Sequence, residues 1–137
     1  MQKVMLRLLE HKNFIFIAIG YTLLLTVGSL INTGGAIQAP DNFDKVVHFT
    51  AYFGLAFLWM LWRIVKHTSD KYRFKSLVLI SVLAIVYGVF MELLQGALTT
   101  YRKPDSWDVL ANSIGVVMAL ITVLLLIKNM RVLKTKF

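Results

Sequence analysis

The chain contains no cysteine, which excludes disulfides, thiolate metal sites and a thiol nucleophile. Acidic residues are scarce: seven stand against fifteen lysines and arginines, for a net charge of +8. There are only two prolines, Pro40 and Pro104, each just ahead of an apolar run, where proline suits the start of a helix. No Gly-x-Ser-x-Gly elbow, P-loop or His-Glu-x-x-His occurs, so no specific catalytic signature is present. Internal repeats, low-complexity tracts and a second domain are also missing, and residues 1–137 read as a single domain.

What is abundant is apolar side chain. Hydrophobic residues make up 58% of the 137 positions, against about 45–50% in soluble domains. The excess points to a small integral membrane protein. Four runs carry it: Phe14 to Ile31, Val46 to Trp62, Leu77 to Leu98 and Val109 to Ile127. At about 1.5 Å per residue, runs of this length approach the roughly 30 Å of a hydrocarbon core. The first run is long for a signal peptide. Ala36 and Ala39 are spaced wrongly for cleavage, so it reads as a retained helix. The expected fold is all-α, four transmembrane helices in a compact bundle.

The basic residues set an orientation. Twelve fall in the N-terminal tail, the segment between runs two and three, and the C-terminal tail; Lys45, Arg102 and Lys103 alone fall in the other two connections. Positive residues collect on the cytoplasmic side, so both termini are expected in the cytoplasm. The same distribution accounts for the high pI without a nucleic-acid partner, and none is expected.

The few polar residues inside or beside the runs then gather at the extracytoplasmic ends. Residues three and four apart share a helical face. Asp44, His48 and Tyr52 line one face of the second run, Gly88, Glu92 and Gln95 one of the third, and Asp108, Asn112 and Gly115 one of the fourth. Small residues at Ala84, Gly88, Ala111, Gly115 and Ala119 allow close helix approach. The outer half of the bundle is therefore expected to enclose Asp44, His48, Glu92, Gln95, Asp108 and Asn112. The first run lacks such groups. Its Thr22, Thr26 and Ser29 suit bonds to their own backbone, and it reads as a packing or lipid-facing element. Trp59 and Trp62 suit an interfacial aromatic belt.

Ionisable groups inside membranes lean towards function. Glu92, His48 and an orienting Asp44 are candidate acid–base residues; the Asp44–His48 spacing of one turn permits a pair. Lys45, Tyr52, Gln95, Arg102, Asp105, Asp108 and Asn112 are candidate ligand-binding residues, with an Arg fork suited to phosphate or carboxylate. Against this stand a structural network that fixes helix register, and helix capping by Asp108. His48, Glu92, Asp44 and Asp108 are conceivable metal ligands by type, but no metal-specific spacing occurs and no metal or cofactor is assigned.

Three separated motifs resemble the VanZ-like family of small bacterial membrane proteins: Asp44-Lys-Val-Val-His48-Phe-Thr-Ala-Tyr52-Phe-Gly-Leu55, Gly88-Val-Phe-Met-Glu92-Leu-Leu-Gln95, and Arg102-Lys-Pro-Asp105-Ser-Trp-Asp108-Val-Leu-Ala-Asn112-Ser-Ile-Gly115. The resemblance spans Asp44 to about Ala119 and implies a multi-pass protein of the bacterial inner membrane, with the motif residues as its functional positions. The family's namesake is associated with teicoplanin resistance, a phenotype of one member that does not carry over. The expected role is binding or modifying an anionic lipid-linked envelope molecule at the outer leaflet. Membrane lipids and a lipid-linked phosphate are then the expected partners. The alternative is a non-enzymatic interaction subunit partnered by an envelope membrane protein.

Overall fold

The computed structural model describes residues 11–31, 43–66, 73–100 and 104–134. They form four helices: α1 (His11–Leu30), α2 (Phe43–Lys66), α3 (Arg73–Leu98) and α4 (Ser106–Lys134). All four are long and apolar enough to cross a membrane. No strand occurs among the described residues. The protein is a multi-pass membrane protein with the all-α bundle architecture the sequence predicts.

The helices overrun the apolar stretches of α2, α3 and α4 at one or both ends. α2 takes in Asp44 in its first turn and Arg63 and Lys66 in its last, charges that match the helix dipole at each end. Asp108 does the same in the first turn of α4.

One stripe of each later helix faces the core. α2 buries Tyr52, Leu55, Ala56 and Met60. α3 buries Leu77, Ser81, Ala84, Gly88, Met91, Glu92 and Gln95. α4 contributes Val116, Ala119 and Val123 below the polar pair Asp108 and Asn112. The three- and four-residue steps are those of one helical face. The opposite faces expose large apolar side chains such as Leu79, Leu83, Phe90, Leu93 and Leu125. A continuous apolar exterior of this kind is matched to lipid rather than water.

The tightest crossing joins α2 to α4. A Cβ at Gly115 would collide with the backbone oxygen of Phe49, so only glycine lets these backbones meet. At Gly88 a Cβ would lie 3.0 Å from the Tyr52 ring and 3.3 Å from Asn112 Nδ2. These are two of the small-residue positions expected from the sequence.

α1 takes the packing role of the two the sequence left open, and more closely than its composition suggests. Thr22 and Thr26 do donate to their own backbone, to Ala18 O and Thr22 O at 2.7 Å. The helix is nevertheless stitched to the others. Tyr21 Oη donates to Ala51 O at 3.0 Å, Trp59 Nε1 to Thr22 Oγ1 at 3.1 Å and Gln95 Nε2 to Ser29 O at 2.8 Å, and the Thr26 and Tyr87 hydroxyls share a bond of 2.7 Å. Hydroxyls already bonded to their own helix keep lone pairs for a neighbour. Trp59 thus also ties α2 to α1, while Trp62 lies under Lys66 Nζ at 4.9 Å.

Candidate functional site

The start of α2, the end of α3 and the start of α4 meet at one end of the bundle, and their polar residues form two connected layers. In the first layer, Lys45 Nζ donates to Asp44 Oδ2 at 2.9 Å, Asp105 Oδ2 at 3.0 Å and Asp108 Oδ1 at 3.1 Å. Three donors meet three carboxylates, the full capacity of an ammonium group. Asp44 and Asp105 are partly exposed, whereas Asp108 is buried.

Asp105 also fixes the start of α4. Its Oδ1 accepts the Trp107 amide at 2.9 Å and its carbonyl accepts those of Asp108 and Val109, an N-cap arrangement. The Trp107 amide and then the Lys45 ammonium hold the Asp105 carboxyl below the usual carboxylate range.

In the second layer, His48 lies between two buried carboxylates. Its Nε2 is 3.5 Å from Asp108 Oδ2 and its Nδ1 is 3.6 Å from Glu92 Oε1. Nδ1 is also 3.1 Å from Asn112 Oδ1. Glu92 is 4% exposed and Asn112 1%. Asn112 Nδ2 is buried without a hydrogen-bond partner. Asp108 belongs to both layers, one oxygen in each. Around His48 and Lys45 stand four carboxylates, those of Asp44, Glu92, Asp105 and Asp108, against a single ammonium.

Most of the sequence-predicted residues therefore converge, with three corrections. Asp44 does not orient His48; it turns to Lys45, and the partners of His48 come from α3 and α4. Gln95 is buried at the same end but is committed to α1 through Ser29, outside the cluster. Lys45 is not a free anion-binding cation, because three aspartates already hold it. Tyr52 lies one turn below His48, buried against Tyr87 with ring centres 6.0 Å apart. Arg102 lies outside the described residues.

A groove of about 310 Å³ between α1 and α2 leads to this cluster, near the lower size limit of small-molecule sites. Leu24, Leu25, Gly28 and Val47 give it apolar surface, and Tyr21, Ser29, His48 and Tyr52 add polar groups. A Cβ added at Gly28 would meet nothing within 4 Å, so the glycine leaves open space there. Sequence reasoning missed the groove because it needs α1 as a wall.

No curated protein and no solved structure matches the chain significantly. The VanZ/LLP1 family model matches residues 4–128, a span that contains all four apolar runs and all three polar motifs. The chain thus belongs to the VanZ/LLP1 family.

Proposed function

We propose that this VanZ-family protein binds, and by its His–carboxylate centre modifies, an anionic lipid-linked envelope molecule at the outer leaflet of the bacterial inner membrane. Both termini then face the cytoplasm, in keeping with the distribution of basic residues. The observation that carries the reading is the groove between α1 and α2, mostly apolar and lined in part by His48. An acyl or prenyl tail suits the apolar lining, and a polar head suits the side on which His48 stands.

Because Lys45 is saturated by aspartates, recognition of a head-group phosphate falls to Arg102 and Lys103 in the same connection as Asp105. His48 lines the groove itself, with Glu92 and Asp108 3.6 and 3.5 Å from its ring nitrogens.

Farnesyl phosphate binding to the purified protein tests this, with farnesol as the head-group control. Wild type is expected to prefer the phosphate. Gly28→Leu, whose Cβ meets nothing within 4 Å, puts side-chain volume into the groove and is expected to weaken binding at least tenfold while the fold stays intact. Arg102→Ala is expected to erase the preference over farnesol. Equal binding by wild type and Gly28→Leu would remove the groove from the mechanism. Complete failure to bind either probe would favour the interaction-subunit reading.

A further inference from the structure

We infer that His48, Glu92 and Asp108 form a binding site for a first-row divalent cation, with Asn112 as its supporting residue. This goes beyond the lipid reading and stands or falls separately from it. One ligand atom from each of the three side chains lies within 4.8 Å of the other two. They come from three helices, so no local sequence spacing announces them.

The argument starts with the imidazole. Asn112 Oδ1 lies 3.1 Å and Glu92 Oε1 3.6 Å from Nδ1, so a proton on Nδ1 serves both acceptors. In the neutral ring that leaves the Nε2 lone pair facing a carboxylate oxygen of Asp108 at 3.5 Å. Two lone pairs in a buried site need a cation between them. A tetrahedral metal with bonds of about 2.0–2.2 Å separates its ligands by about 3.4 Å, which the 3.5 Å between Nε2 and Asp108 Oδ2 admits.

The remaining features agree. Metal-bound histidines donate their other N–H to a carbonyl or carboxylate, the role Asn112 Oδ1 fills. Asn112 Nδ2 is buried and has no acceptor. It sits 3.3 Å from the position of a Cβ at Gly88, one turn from Glu92 on α3. An oxygen ligand in the fourth coordination position, open in sites with three protein ligands, would give this amide an acceptor. A divalent charge also offsets the excess of carboxylates over Lys45. One imidazole and two carboxylates suit Zn²⁺ or Mn²⁺ better than Mg²⁺. The neighbouring Asp44, Asp105 and Asp108 also lie within reach of one another, but Lys45 Nζ occupies their centre and leaves no room for an ion.

The test uses full-length protein purified without a histidine tag, stripped with chelator, in detergent free of phospholipid. Titration with Zn²⁺ and Mn²⁺ is expected to give about one bound equivalent, with Mg²⁺ at least tenfold weaker. Glu92→Gln and Asp108→Asn should each lose at least tenfold in affinity, Asn112→Ala about tenfold, and Asp44→Asn less than threefold. A fold-independent arm uses the His11→Gln, His67→Gln background, which leaves His48 as the only histidine. There Zn²⁺ should shift the ¹⁵N resonance of Nε2. No Zn²⁺-dependent shift would overturn the inference, as would binding lost on Asp44→Asn but kept in Glu92→Gln. Farnesyl phosphate binding is scored apart from these measurements, so either proposal can fail alone.

Discussion

The crossing of α2 and α4 at Gly115 yields a prediction with a built-in control. A Cβ at Gly115 would collide with Phe49 O and lie 3.1 Å from both Phe49 C and Phe53 N. All three are backbone atoms, so no rotamer change relieves them and the helices must separate. Over-packing of this kind costs about 1–3 kcal/mol, offset by up to about 1 kcal/mol for replacing glycine with alanine in a helix. Gly115→Ala should therefore destabilise by about 1–2 kcal/mol, a factor of roughly 5–30 in the folded-to-unfolded ratio. At Gly20 nothing lies within 4 Å of an added Cβ. Gly20→Ala keeps only the helical gain and should be neutral or stabilising.

The assay is unfolding in mixed micelles of rising SDS fraction, followed by far-UV circular dichroism. The midpoint should fall for Gly115→Ala and hold or rise for Gly20→Ala. The site adds a second readout, since Phe49 follows His48 and Gly115 is three residues from Asn112. Separation of the helices should lengthen the His48–Asn112 and Lys45–Asp108 contacts and weaken ligand binding. A Gly115→Ala protein at least as stable as Gly20→Ala would refute the close crossing and the packing logic built on it.

Asp105 gives a pH dependence whose sign follows from its lowered pKa. Its stabilisation is present above the unfolded value of about 3.9 and is lost as pH falls through the lower folded value. The stability gap between wild type and Asp105→Asn, read by thermal unfolding, should thus close as the pH falls below the unfolded value of about 3.9. A gap that widens on acidification would mean the carboxylate is not held by Lys45 and the Trp107 amide. Topology is testable because the chain has no cysteine of its own. Thr100→Cys should react with an impermeant maleimide in intact cells or spheroplasts, and Lys128→Cys only after permeabilisation; the reverse pattern would invert the proposed orientation.

Much of the site was legible because helical spacing is rigid. Once Asp44 and His48, Gly88 and Glu92, and Asp108 and Asn112 are placed on helices, each pair must share a face. The choice of partner was not legible. Asp44 has both Lys45 beside it and His48 one turn on, and the ammonium takes it because it also draws in Asp105 and Asp108 from across the bundle. Gln95 follows Glu92 by one turn, yet its amide serves the free carbonyl of Ser29. The docking of α1 was hidden for a different reason. Lipid and protein interior are equally apolar, so hydrophobicity does not distinguish a lipid-facing stripe from a buried one. Only the spacing of Thr22, Thr26 and Ser29 carried a hint, and those hydroxyls could have been satisfied within their own helix.

The two polar layers differ in what reaches them, and that difference bears on the proposed route of a ligand. The Lys45 layer uses the helix ends and carries the partly exposed Asp44 and Asp105. The His48 layer lies within it, formed by buried Glu92, Asp108 and Asn112. Approach along the bundle axis would have to break the bonds of Lys45, leaving three carboxylates without their shared cation, a costly step in a site of low polarity. Approach from the side meets only the open groove between α1 and α2, where His48 itself forms part of the wall. Under the proposed function, a lateral path of this kind suits a molecule already anchored in the membrane. The same reasoning gives α1 its purpose in the proposed mechanism. Its four side-chain bonds to α2 and α3 fix one wall of a path that the polar motifs on the other three helices do not enclose.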